Sequence, residues 1–89
     1  MNSEKIPTAT EMVPVLVEVL RQANHECSTR ELEQMVSDRL ALSKSQLSAQ
    51  HDRSRTEFQY RLGWARTYAK REGKITSPRR GSWKHSSIA

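Results

Sequence analysis

Thr56, Gln59, Tyr60, Gly63 and Thr67 fall on one side of a helical wheel, with Arg66 and Lys70 toward one edge. Arg53 and Arg55 precede this set, and Arg79, Arg80 and Lys84 follow it in Ser77-Pro78-Arg79-Arg80-Gly81 and Ser82-Trp83-Lys84-His85. Most of these side chains offer a hydrogen-bonding group or a fixed positive charge. None forms a nucleophile–base pair. Such a set suits contact with phosphates and base edges, where Gln pairs with adenine and Arg with guanine in the major groove. Arg55, Thr56, Gln59, Tyr60 and Arg66 are the candidates for base or nearby phosphate contact, and Arg79, Arg80 and Lys84 for the adjacent backbone or minor groove. Gly63 has no side chain. It allows close approach either of a DNA backbone or of a neighbouring element within the fold, and it costs a helix about 1 kcal/mol relative to alanine.

Charge separates along the chain. Residues 1–52 hold five Lys/Arg and eight Asp/Glu, a balance of −3, whereas residues 53–89 hold ten and two, a balance of +8. A basic half on a near-neutral body is the footprint of a phosphate-backbone binder, and also of a solvated, solubilising face.

Enzyme signatures are missing. There is no glycine-rich phosphate loop, paired cysteines, His-Glu-x-x-His or nucleophile elbow. Asp52 and Glu57 read as loop and cap residues, and His51 as an exposed loop histidine. No catalytic residue, metal, cofactor or small-molecule substrate is expected. The run Met12–Leu20 is too short and mixed to span a membrane. Cys27 is the only cysteine, reads as a small buried hydrophobe, and suits a reducing cytosol.

The elements that position these residues follow from cap signals. Residues 1–7 read as a loose leader, 8–85 as one domain and 86–89 as a polar tail. Thr8-Ala9-Thr10-Glu11 opens a helix with Val13, Leu16, Val17, Leu20 and Ala23 at helical spacing, and Thr10 is an alternative cap. Pro14 lies near its first turn. Asn24–Cys27 is a short connector, where a winged-helix domain places a one-bridge strand. Ser28-Thr29-Arg30-Glu31 opens a second helix with Leu32, Met35, Val36 and Leu40 on one face and Ser37 among its outward polar residues. Ser43-Lys44-Ser45-Gln46 marks a turn or two of helix, followed by a polar loop from Ser48 to Arg53.

Ser54-Arg55-Thr56-Glu57 is taken as the cap of the last long helix, whose buried face is Phe58, Leu62, Ala65 and Ala69, flanked by Trp64 and Tyr68. Arg61 points to the core side beside Tyr68 and Glu72, a structural pairing or stacking role. Gly73 ends the helix after Lys70 and Arg71. Ile75 and Trp83 anchor two short strands joined by Pro78-Arg79-Arg80-Gly81. The fold class is mainly α with a small β-hairpin wing, a winged helix-turn-helix.

Ile6-Pro7-Thr8, the helical Pro14, Arg61-Leu62-Gly63-Trp64-Ala65-Arg66-Thr67-Tyr68, Gly73 and Ser77-Pro78-Arg79-Arg80-Gly81 together resemble the N-terminal domain of Mrr-type restriction endonucleases. The likeness covers nearly the whole chain, although residues 43–53 depart from the family pattern. It implies a winged-helix domain that binds double-stranded DNA, with methylated DNA as one substrate, fused to a metal-dependent nuclease that is not in this sequence. A homodimer would form through such absent domains. The alternatives are a winged-helix transcription regulator and a protein–protein interaction module.

Overall fold

The computed structural model describes residues 5–86, so the expectations for residues 1–4 of the leader and 87–89 of the tail lie outside the described residues. Element order is α1 (Ala9–Ala23), β1 (Cys27–Ser28), α2 (Thr29–Leu40), α3 (Lys44–Ser48), α4 (Glu57–Arg71), β2 (Ile75–Thr76) and β3 (Ser82–His85). The three strands form an antiparallel sheet in the order β1-β3-β2. The architecture is thus mainly α with a β-hairpin wing, as the cap and turn signals predict. No helix among the described residues is long and apolar enough to cross a membrane.

Every helix among the described residues begins with a reciprocal capping box, in which a hydroxyl accepts the third amide and the third side chain accepts the cap amide. Three sit where expected, at Thr8, Ser28 and Ser43. The fourth is a correction. The cap of α4 is Thr56, paired with Gln59 at 3.0 and 3.1 Å, not Ser54 paired with Glu57. Asp52 displaces Ser54 from that role. Its Oδ1 accepts the amides of Ser54 and Arg55, each at 2.9 Å, and forms a tight turn ahead of the helix.

α1 is the central element, packed on α4 and α2, with Met12, Leu16 and Leu20 fully buried. Pro14 stands at the sixth helical position, just past the first turn, and the Thr10 carbonyl loses its donor there, the one hydrogen bond the proline costs. The buried face of α4 is Phe58, Leu62, Ala65 and Ala69, as the spacing predicts. On α2, Ser37 is also buried, contrary to its placement among the outward polar residues. Its hydroxyl donates back to the Gln34 carbonyl at 3.1 Å, which satisfies it inside the fold.

α4 ends in a Schellman motif. The Lys74 amide donates to the Ala69 carbonyl and the Gly73 amide to that of Lys70, with Gly73 at φ +76°. This turns the chain directly into β2. β3 pairs with β2 (Ile75 opposite His85) and with β1 (Cys27 opposite Trp83, Ser28 opposite Ser82), so a strand is present at the end of the connector, with two paired residues where a single bridge is expected. Cys27 is buried, and burial raises its thiol pKa, consistent with a packing role.

Residues 5–7 are held rather than loose. The Lys5 carbonyl accepts from Gln46 at 2.9 Å and the Ile6 carbonyl from Arg61 at 2.6 Å.

Candidate nucleic-acid interface

The face of α4 turned away from the core divides into two lines of residues. One line is Gln59, Gly63, Arg66 and Lys70; the other is Tyr60, Trp64, Thr67 and Arg71. Each follows the i, i+4, i+7, i+11 spacing of a straight stripe on a helix. The first borders α2 and the wing. Gln59 lines a cleft of about 240 Å³ together with Arg30, Glu33 and Gln34 of α2. Arg66 lies over the ring of Trp83 in β3, 5.0 Å from its centre. α4 and the wing therefore share an edge.

Thr56 and Gln59 carry less free chemistry than their types suggest. Capping uses the Thr56 hydroxyl as an acceptor and the Gln59 Oε1, which leaves the Gln59 amide nitrogen as its available donor. Thr67 donates to the Gly63 carbonyl one turn back, at 3.2 Å. A Cβ built on Gly63 would meet only the Arg66 guanidinium, at 3.6 Å. Close packing inside the fold therefore does not account for this glycine.

The aromatic line differs from expectation in two places. His51 is not a free loop residue. Its ring stacks on Tyr60 with centroids 3.6 Å apart and planes 11° from parallel, and its Nδ1 lies 2.9 Å from Glu57. Arg55 lies 5.2 Å from the Tyr60 ring centre while also reaching Asp52. The Tyr60 ring is thus partly occupied by protein. Trp64, by contrast, is 43% exposed, the large hydrophobic side chain most open among the described residues.

Hydrogen bonds from Ser54 and Arg55 hold the Asp52 carboxyl down at about 2. Glu57 is also lowered, chiefly by Arg61 and then by His51. Arg61 has the structural role expected of it but with different partners. It donates to Glu57 at 2.6 Å and to the Ile6 carbonyl, rather than pairing beside Tyr68 and Glu72.

The basic candidates separate by what they touch. Among the described residues, Arg53, Lys70 and Arg80 are exposed and make no side-chain hydrogen bond or ion pair. Lys84 is exposed and acts on Glu26 only through its field. Arg79 is committed: its Nε and Nη2 donate to Glu26 at 2.9 and 3.3 Å. Arg66 is the most enclosed. Its Nε is sealed from solvent with no hydrogen-bond partner, and burial lowers its pKa against the opposing field of Glu33. An unsatisfied buried donor of this kind costs about 1–3 kcal/mol.

Two basic residues escaped the sequence reading. Arg30 stands on the first turn of α2 at the same cleft as Gln59, and Arg71 follows Thr67 at i+4 with Tyr68 6.0 Å away. The position of Arg30 directly after the second cap was the available signal.

Among the described residues no group of three or more His, Cys, Asp or Glu is placed to hold a metal ion. What the face offers is cations, amide and hydroxyl groups and one open aromatic ring.

A helical domain with a β-hairpin wing and a basic outer face is the class defined by this geometry. Residues 10–87 match the family model described as the Mrr N-terminal domain, and the chain belongs to that family. No curated protein matches the chain, and no solved structure does.

Proposed function

We propose that this domain binds double-stranded DNA as the recognition part of a restriction endonuclease, with the cutting step carried by a separate nuclease domain. α4 would lie in the major groove, its N-terminal end leading, and the wing turn would meet the neighbouring backbone. The observation that carries this reading is the set of exposed, unpaired cations, Arg53, Lys70 and Arg80, around an outer face of α4 that is otherwise polar and aromatic. An α-helix fits the major groove, about 12 Å wide.

The finer reading is recognition of a modified base within bacterial defence. A methyl group needs an apolar contact at the groove. Trp64 supports this better than Tyr60, because His51 already stacks on the Tyr60 ring.

The test is binding to matched duplexes that are unmethylated, adenine-methylated or cytosine-methylated. Tighter binding to one methylated duplex supports the full reading. Equal affinity removes the modification and leaves DNA binding, whereas no binding to any duplex removes both.

The exposure of Trp64 also favours a second reading, docking to a protein partner through α4. Native mass spectrometry separates the two. A duplex complex lost in Arg53→Ala/Arg80→Ala supports DNA, and a protein complex lost in Trp64→Ala supports docking.

A further inference from the structure

Among the described residues, Arg66 is the one candidate cation enclosed by the fold yet left without a hydrogen-bond acceptor. Three neighbours fix its place. The Trp83 ring lies 5.0 Å below the guanidinium, and that ring is itself held by its Nε1–H donating to the Thr29 hydroxyl at 2.9 Å. Glu33 on α2 acts on it through its field without forming a hydrogen bond. On the remaining side lies Gly63, where the nearest atom to an added Cβ would be Arg66 Nη2 at 3.6 Å.

The result is a notch on α4, floored by the Gly63 backbone and walled by a guanidinium. Nε is the sealed, unpartnered nitrogen, and the terminal nitrogens are not sealed in this way. The Gln59 amide nitrogen, unused by its cap, lies one turn before on the same line. A planar, permanently charged fork with open terminal donors matches a phosphate oxygen pair.

We propose that this notch is a built subsite for one DNA backbone phosphate, with Arg66 as the receiving group and Trp83 as the residue that holds it ready. This rests on the DNA-binding reading above and adds to it one specific contact. The site lies on the edge of α4 that borders the wing, where a strand's backbone rather than its base edges would pass. Trp83 then links the wing to the helix, because the ring that anchors β3 also orients the cation. Glu33 opposes entry of an anion and limits binding at this point.

The test is fluorescence anisotropy of the full chain with several unrelated duplexes across a salt series. Arg66→Gln should weaken all duplexes alike, by at least about tenfold, and reduce the magnitude of the logarithmic salt slope by about 0.9. Gly63→Ala leaves Arg66 in place and introduces a better helix former, so it tests the notch even if Arg66→Gln unfolds. It should weaken binding to every duplex. Glu33→Gln should tighten binding severalfold.

Unchanged affinity and slope in both Gly63→Ala and a folded Arg66→Gln overturn the subsite while leaving DNA binding by the wild-type chain intact. Loss confined to one base pair of one duplex overturns the phosphate assignment and makes Arg66 a base reader. Failure of the wild-type chain to bind any duplex overturns the subsite together with the reading on which it rests.

Discussion

Arg79 at the tip of the wing turns back onto Glu26, donating two hydrogen bonds of 2.9 and 3.3 Å across 53 residues of chain. Ser82 donates to the same carboxylate at 2.6 Å. Glu26 immediately precedes β1, so the ion pair ties the wing turn to the strand that β3 pairs with. The two arginines of the turn therefore differ: Arg79 is neutralised locally and Arg80 is not.

Arg80→Ala should consequently lower the salt slope of duplex binding more than Arg79→Ala does. Glu26→Gln should tighten binding by releasing Arg79, provided the fold stays intact by circular dichroism. Equal effects of the two alanine variants would mean that Arg79 leaves Glu26 on binding.

Arg61 clamps the first turn of α4 to the chain before α1, through Glu57 and the carbonyl of Ile6. Charge-assisted hydrogen bonds of this kind contribute about 1.5–3 kcal/mol, discounted here because both side chains keep some exposure. Arg61→Ala should cost about 1–2 kcal/mol. For a domain of this size the melting temperature should fall by roughly 4–16 °C. Lysine should rescue little, since it lacks the fork that reaches two partners. Duplex affinity of the folded fraction should stay unchanged.

Gly63→Ala should stabilise the free protein by up to about 1 kcal/mol, because alanine favours the helix and the added Cβ meets only an ordinary contact. Thermal melting checks this. A destabilised variant would show that the glycine serves the fold.

Acid should loosen the turn before α4 in a defined window. The Asp52 carboxyl is lowered from 3.8 to about 2, first by the Ser54 amide. A depressed carboxyl contributes stability that is fully present above its unfolded value and lost as pH falls through the folded one. The contribution should therefore hold above about pH 4 and disappear toward about pH 2. Asp52→Asn should remove this part of the pH dependence. NMR titration of the Ser54 and Arg55 amides would show it, and a transition near pH 6 would contradict the assignment.

Most of the fold was legible because its signals are local. A capping box needs two residues three apart, and Phe58, Leu62, Ala65 and Ala69 need only helical spacing. The cap of α4 was misplaced because Ser54-x-x-Glu57 and Thr56-x-x-Gln59 both fit the pattern. What chooses between them is the Asp52 carboxylate, which accepts the Ser54 and Arg55 amides, together with the contacts of Glu57 to Arg61 one turn along the helix and to His51 in the loop. The same limit applies to the interface. That Arg79 meets Glu26 and Arg66 meets Trp83 depends on how the sheet and helices assemble, which no single stretch encodes. His51 looked free for the same reason, since its ring finds Tyr60 only after the loop closes over α4.

The dependence of duplex affinity on salt tests DNA backbone binding most directly. Each phosphate neutralised contributes roughly −0.9 to the slope of log affinity against log salt. Contacts from Arg53, Arg66, Lys70 and Arg80 predict a steep negative slope that becomes shallower in Arg53→Ala/Arg80→Ala. A flat response in the wild-type chain, or the same slope in that variant, would contradict it.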